Sequence, residues 1–487
     1  MSRPALRPAA AFLLGAATVL GFAPFNIFPL PLLTLAALVR LWQAAAPRAA
    51  AWSGFVFGVG FFLAGVSWVY VSMHVFGGMP APLAALAALL FCGVLALFPA
   101  LAGFLFARLK SGRLLADALL AAAAWTLAEW LRGWVFTGFP WLALGYAQTP
   151  PSPLAGFAPL LGVHGVGFVS AFIAALLALS WHRRERRLRS GAAIAALIAA
   201  GYGLMQIEWT EPSGKPFTVS LLQGNIEQSV KWKPERLQQS LDTYLRLARA
   251  HPARLVVLPE TAMPLLLDQL PRDFPAALGG KGDVLLGIAA QDAQGRFYNS
   301  AVGFGADGVQ SYSKRHLVPF GEFTPPAFAW TLAVLRIPMS NFASGGEVQP
   351  PLALAGEKVG VNICYEDVFG EEIIRALPEA SLLVNLSNTA WFGDSLAQPQ
   401  HLQISQMRAL ETGRTMLRAT NTGMTAIVGP HGRVERVLPP FSEDALTGEV
   451  QGYSGATPYV RWGNRAVLLL AVLAMLTLLP GRRRGAD

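Results

Sequence analysis

Three ionisable side chains stand at the ends of predicted strands. Glu260 follows Leu255-Val256-Val257-Leu258-Pro259, Lys314 follows Tyr312-Ser313, and Cys364 follows Val359-Gly360-Val361-Asn362-Ile363. Such runs suit buried strands, and the sites of α/β folds collect on the loops at strand ends. The three groups have complementary chemistry. A thiol attacks a carbonyl carbon as its anion, and a free cysteine has a pKa of about 8.5. A carboxylate within reach takes that proton as general base. An ammonium steadies the thiolate and then the oxyanion of a tetrahedral intermediate. Together they suffice for acyl transfer through a thioester. Taken singly each has a plainer reading: a solvated loop Glu, a surface Lys, a core Cys.

The chain holds only two cysteines. Cys92 sits in the apolar run Leu89-Leu90-Phe91-Cys92-Gly93-Val94-Leu95 and reads as a small buried hydrophobe. A disulfide would have to join that run to a polar domain, so Cys364 is read as an unpaired, reactive thiol.

The elements around these residues divide the chain into three. Of its 487 residues 53% are hydrophobic and 14% charged, and the mean hydropathy is +0.43. A soluble domain carries about 25% charged residues, so part of this chain is solvated by lipid. Residues 1–210 hold seven candidate spans, at roughly 8–23, 27–44, 51–72, 81–107, 114–131, 158–180 and 190–206, against the ~20 apolar residues a bilayer helix needs. Residues 217–450 return to a polar composition. Short β-rich runs such as Phe217–Leu222, Val284–Ile288 and Leu382–Leu386 alternate there with helical patterns at Pro234–Ala250 and Leu402–Arg418, which predicts an α/β domain. Residues 460–487 contain an eighth apolar run, roughly 465–480, and a basic tail.

The net charge of +9 is a topology signal. With alternating spans, Arg3, Arg7, Arg40, Arg48, Arg108, Lys110, Arg113, the cluster Arg183 to Arg189 and Arg482-Arg483-Arg484 share one face. The opposite short loops, near 24–26 and 73–80, hold no Lys or Arg, and 132–157 holds only Arg132. Positive residues mark the cytoplasmic side. Both termini are therefore expected in the cytoplasm and the α/β domain outside it. No basic arm points to nucleic acid.

At this level of detail the sequence resembles a known family. Leu258-Pro259-Glu260-Thr261, Lys314-Arg315-His316-Leu317-Val318-Pro319-Phe320-Gly321-Glu322 and Ile363-Cys364-Tyr365-Glu366 resemble, in order and spacing, the three signatures of the nitrilase, or carbon-nitrogen hydrolase, superfamily. That superfamily uses a Glu-Lys-Cys triad on an αββα sandwich. Hydrophobic spans before and after such a domain resemble the membrane-embedded apolipoprotein N-acyltransferase family. Glu129-Trp130-Leu131-Arg132-Gly133, Thr137-Gly138-Phe139-Pro140-Trp141, Gln223-Gly224-Asn225-Ile226 with Trp232, Ala390-Trp391-Phe392-Gly393 and Thr457 to Asn464 carry the likeness further.

The resemblance implies a fold of about eight spans plus the sandwich, and a two-step reaction in a bacterial inner membrane. Glu260 deprotonates Cys364, and the thiolate takes an acyl chain from a phospholipid, with phosphatidylethanolamine the expected donor. The amine of a diacylglyceryl-cysteine at the start of a lipoprotein then discharges the thioester. Lys314 stabilises the oxyanion. Glu322 matches a further carboxylate that orients Lys314 or shares its charge. Tyr365 and Glu366 match functional positions, and their amides can join the oxyanion hole. Asn299 supports the site or caps a strand. Trp232, Trp391 and Trp141 are candidates for substrate contact, with interfacial packing as the alternative. Glu129 and Arg132 read as a pair on one helix face. Thr389 stands where many relatives carry Asp, a departure that bears on substrate positioning. No cofactor is expected, no metal spacing is seen among the seven histidines, and a monomer is expected. The alternatives are a membrane-tethered amidase that uses water, which needs one span instead of eight, and a transporter, which the scarcity of charge within the spans disfavours.

Overall fold

The structure is a computed structural model that describes residues 6–181, 184–228, 231, 234–324 and 341–478. Arg3, Arg183, Trp232 and the Arg482 triplet lie outside the described residues. The contacts divide the chain into two compact units. One comprises the described residues of Met1–Ser67, Ala85–Glu208 and Arg461–Asp487. The other comprises those of Trp68–Ala84 and Trp209–Val460.

In the first unit four helices are long and apolar enough to cross a membrane: Pro47–Val66, Ala81–Leu109, Leu114–Arg132 and Pro153–Ser180. Arg7–Gly21, Leu30–Gln43 and Arg465–Leu476 are apolar but shorter. The first two are cut short where Pro24, Pro29 and Pro31 interrupt the run. The expected seventh span falls on the helix Arg184–Leu204, whose first turns carry Arg184, Glu185, Arg186, Arg187 and Arg189. This helix begins ahead of the expected 190–206 and takes in that arginine cluster.

Glu129 and Arg132, on the helix Leu114–Arg132, both grip the segment that follows. Glu129 Oε1 accepts from the Leu144 amide at 2.9 Å. Arg132 Nη1 donates to the carbonyls of Phe139 and Trp141, each at 2.6 Å, and its guanidinium lies over the Phe62 ring. Irregular backbone among apolar helices needs such partners, since unmade backbone hydrogen bonds there are costly.

The second unit is a sandwich of two six-stranded sheets. β1 (Thr210–Gln223), β2 (Leu255–Val257) and β3 (Asp283–Gln291) run parallel; β4 (Phe297–Gly305) and β5 (Gly308–Ser313) extend them antiparallel. In the facing sheet β7 (Glu357–Ile363), β8 (Leu382–Ser387) and β9 (Met416–Thr420) are parallel, flanked by antiparallel β6 (Leu352–Leu354), β10 (Ala426–Val428) and β11 (Val434–Val437). β12 (Asp444–Gly455) returns to close the first sheet beside β1.

Alternation along the strands makes the layers. Val219, Leu221, Leu255, Val257, Val359, Val361, Leu382 and Val384 fill the space between the sheets. Their neighbours Leu222, Val256 and Leu258 turn outward onto Leu241, Tyr244 and Leu247 of the helix Pro234–Ala250. Leu383 and Met416 meet Leu402 and Ala409 of the helix Ala397–Thr412 on the other side. Each strand thus serves two cores, which is why the runs read as continuously apolar. The second helix corrects the expectation of one continuing to Arg418. Gly413 ends it in the left-handed region at φ +63°, and Met416–Thr420 pairs as a central strand.

The segment Trp68–Ala84, far upstream in sequence, packs on the sandwich. Trp68 meets Phe392 edge-on with ring centroids 4.6 Å apart, Phe76 meets Trp391 at 5.8 Å, and Ser72 Oγ donates to the Trp391 carbonyl at 2.8 Å.

Candidate active site

The ends of β2, β5 and β7 converge. Glu260 lies just past β2, Lys314 directly follows β5, and Cys364 directly follows β7. Glu260 Oε1 accepts from Asn299 Nδ2 at 2.7 Å and from Lys314 Nζ at 3.4 Å. Its Oε2 accepts from the Asn388 amide at 2.8 Å. Lys314 Nζ also donates to Glu322 Oε1 at 2.9 Å, and Asn299 Nδ2 reaches the same oxygen at 2.8 Å. Glu322 Oε2 accepts from the Val318 amide at 2.9 Å. Four of the residues singled out in the sequence are therefore one hydrogen-bonded cluster. Asn299 bridges both carboxylates from β4, and its carbonyl accepts the Lys314 amide at 2.7 Å.

Lys314 is 1% exposed. Burial pulls its pKa down, but the charges of Glu322 and Glu260 outweigh that and hold the ammonium well above the ordinary lysine range. Cys364 is 8% exposed. Burial pushes its thiol up, the Glu260 charge adds to this, and the Lys314 charge opposes both. A thiol shifted this way attacks a carbonyl only once a base has taken its proton.

Backbone geometry presents the thiol. Cys364 has φ +53°, a region that costs a non-glycine residue about 1–3 kcal/mol and persists only where the surroundings enforce it. Here the chain leaves β7 and enters the tight turn Cys364–Val368. The Cys364 carbonyl accepts from Asn385 Nδ2 at 3.1 Å. Glu366 braces the turn: Oε2 takes the Ile363 amide at 2.6 Å, and Oε1 takes the Arg315 and His316 amides at 2.7 and 3.1 Å and the Tyr312 hydroxyl at 2.9 Å. Burial pushes the Glu366 carboxyl up to about 7, against the Lys314 charge and these amides. Glu366 is thus a strut between the Lys314 and Cys364 loops, a role beyond its expected place beside the nucleophile. Tyr365 packs edge-on against Phe369 and His316.

Glu260 is set by a close approach. A Cβ on Gly287 of β3 would lie 2.2 Å from the Pro259 carbonyl oxygen and 2.7 Å from Glu260 Cα. Gly287→Ala is therefore expected to push the base off its position while leaving most of the sandwich intact. A misplacement of about 1 Å costs on the order of 10²-fold in rate. Rates of Cys364 acylation beside a thermal unfolding curve check this: a slow but folded variant agrees, and an unchanged rate contradicts it.

Beneath Cys364 lies a polar network that was not expected from the sequence. Asp367 accepts from Ser405 Oγ at 2.8 Å and Arg418 Nη1 at 3.2 Å, and its Oδ1 pairs with His401 Nε2 at 2.7 Å. Arg418 Nη1 also donates to Asn385 Oδ1 at 2.9 Å. Burial pushes Asp367 up, but the His401 and Arg418 charges hold it below the usual carboxylate range. Polar groups so deep are tolerated only when partnered. One signal was available: Asn385 interrupts the apolar run Leu382-Leu383-Val384-Asn385-Leu386, and a polar residue in a buried strand demands a partner.

The tryptophans part company. Trp391 is half-buried on the turn Thr389–Phe392, next to the Asn388 amide that holds Glu260. Trp141 is buried in the helical unit, stacked on Phe139. Thr389 Oγ1 donates to Gln398 Oε1 at 2.7 Å and so ties the Trp391 turn to the helix Ala397–Thr412. Both thiols, Cys92 and Cys364, are free and buried. Among the described residues no cluster of three His, Cys, Asp or Glu side chains is placed to hold a metal ion.

Comparison with known proteins gives the following. Residues 14–176 match the family described as apolipoprotein N-acyltransferase N-terminal domain, and residues 218–459 match carbon-nitrogen hydrolase. The chain is 52% identical to an apolipoprotein N-acyltransferase of Nitrosomonas europaea, over 98% of each chain. It is 50% identical to one from Ralstonia nicotianae, over 97% of this chain and 93% of the relative. A third, from Chromobacterium violaceum, is 49% identical over 98% and 94%.

Proposed function

Because this chain belongs to the apolipoprotein N-acyltransferase family and is an N-acyltransferase with a carbon-nitrogen hydrolase domain, we propose that it works through an acyl thioester on Cys364. The observation that carries this reading is the cluster of Glu260, Lys314, Glu322 and Asn299, whose charges bear on the Cys364 thiol. Glu260 takes the thiol proton. The thiolate adds to the ester carbonyl of a phospholipid acyl chain, and Lys314 balances the oxyanion. The C–O bond breaks, the leaving alkoxide takes the proton back from Glu260, and a lysophospholipid departs. The α-amine of a diacylglyceryl-cysteine then attacks the thioester. Glu260 accepts the ammonium proton and passes it to the Cys364 sulfur as the C–S bond breaks and an amide forms. The donor is phosphatidylethanolamine and the acceptor a diacylated lipoprotein. Trp391 and Trp232 contact the lipids, with Trp141 in the helical part.

Mass spectrometry of purified enzyme with phosphatidylethanolamine tests it. The expected result is an acyl adduct on Cys364 that a diacylated lipopeptide removes as amide product. Absence of an adduct, or discharge to water alone, sinks the transferase mechanism.

The protein is a membrane protein of bacterial type. Eight crossings, with residues 1–210 and 460–487 in the inner membrane and 217–450 outside the cytoplasm, fit the arginine distribution. A reporter active only in the cytoplasm, fused near Gly345, is expected to be dark, and a bright one reverses the topology. The enzyme acts as a monomer, to be checked by its mass in detergent.

A further inference from the structure

Lys231 enters the site from the loop between β1 and the helix Pro234–Ala250, and the steps above give it no task. Its side chain is 1% exposed. Its ammonium donates to Thr261 Oγ1 at 3.0 Å, on the residue after Glu260, and its charge acts on the Glu260 carboxylate. Thr261 is held at φ +43°, an unfavourable region for a β-branched residue. The loop is tied to the same elements that fix Glu260. Gln228 Oε1 accepts from Asn388 Nδ2 at 2.8 Å, while the Asn388 amide donates to Glu260 at 2.8 Å. Ile226 exchanges two hydrogen bonds with Asn421, at 2.9 and 2.7 Å, and Asn421 Nδ2 reaches Asn388 Oδ1 at 3.3 Å.

Charge gives the reason for a buried lysine at this place. Lys314 is shared between two carboxylates, Glu260 and Glu322. Arg418, the other buried cation that acts on Glu260, is itself paired with Asp367, so one lysine between two carboxylates favours protonation of one of them, and a protonated Glu260 cannot accept the thiol proton. We propose that Lys231 is a positioning residue for the general base: held by Thr261, it supplies a further positive charge that keeps Glu260 ionised. The role rests on the thioester reading above. The other groups that face this pair are Lys314 and Glu322 from β5 and the loop after it, Cys364 after β7, and Arg418 of β9. Burial pulls the Lys231 ammonium down to about 8 while the Glu260 charge holds it up, so it is still mostly charged at pH 7.

The sign follows. A nearby cation lowers a carboxylate's pKa, so removing it raises the acid limb of the acylation profile. Rates of adduct formation on Cys364 with phosphatidylethanolamine in detergent micelles, taken from pH 5 to 9, provide the test. Lys231→Met and Lys231→Gln are expected to move the acid limb up by about one pH unit, with roughly tenfold slower acylation below it, recovered at higher pH. Lys231→Arg is expected to restore the limb. A loss of packing alone lowers the rate at every pH. An acid limb unmoved in both neutral variants overturns the proposal, as does failure of both to fold, which makes Lys231 a structural residue. Wild-type enzyme that takes no acyl chain sinks the thioester reading itself; acylated wild type with unmoved variant limbs sinks only the role of Lys231.

Discussion

Cys364→Ser is expected to leave the protein folded and slow acyl-enzyme formation on the order of 10⁴-fold or more. The substitution keeps the size of the side chain and asks only for a different nucleophile. At 8% exposure and φ +53° the position already tolerates a small polar atom, and its backbone is fixed from outside by Asn385 and by the Glu366 strut. A serine hydroxyl is far harder to ionise than a thiol, and the cluster offers one carboxylate for that task where serine enzymes use a dedicated histidine. The mass of intact enzyme after incubation with phospholipid, beside its melting curve, is the measurement. A serine variant acylated at a comparable rate removes Cys364 from the centre of the mechanism.

Glu260→Gln is expected to slow acylation by about 10³-fold, within the 10²–10⁴ that a general base contributes. The amide also fits its surroundings poorly. Oε1 now faces Asn299 and Lys314, and Oε2 faces the Asn388 amide. With its oxygen toward the first pair, a glutamine turns its NH₂ onto the Asn388 N–H, donor against donor. A buried mismatch of this kind costs about 1–3 kcal/mol, so a lower melting temperature accompanies the lost rate. The decisive readout is the pH profile: the acid limb of acylation should vanish with the carboxylate. A variant that keeps it identifies another group, with Glu322 the first to examine.

The convergence of Glu260, Lys314 and Cys364 was legible because each ends a predicted strand, and a strand end is a local property of sequence. The helix Pro234–Ala250 was legible for the same reason, since its apolar positions recur at helical spacing. The helix beyond Leu402 was overrun because Met416 to Ala419 continues an apolar pattern that a helix and a central strand share, and only the left-handed Gly413 separates them. Asp367, His401 and Arg418 were not legible as a group. They come from different strands and helices, and their meeting depends on the parallel order β7-β8-β9, which no local pattern encodes. Lys231 escaped for a further reason: a lysine in a polar loop reads as solvated, and only the packing around Thr261 shows it buried. Among the apolar helices, the first two are shorter than their runs because Pro24, Pro29 and Pro31 interrupt them, while the helix Arg184–Leu204 begins ahead of its apolar run, within the arginine cluster.

The docking of Trp68–Ala84 on the Trp391 turn has a consequence for anyone who would graft this enzyme. The catalytic body is discontinuous in the gene, with one of its pieces encoded inside the amino-terminal half. A chimaera joined near residue 209 would set a foreign segment against Phe392 and Trp391, one turn away from the amide that holds the base. Exchange between relatives that preserves turnover should therefore move residues 68–84 together with the carboxy-terminal half, as a single inherited block.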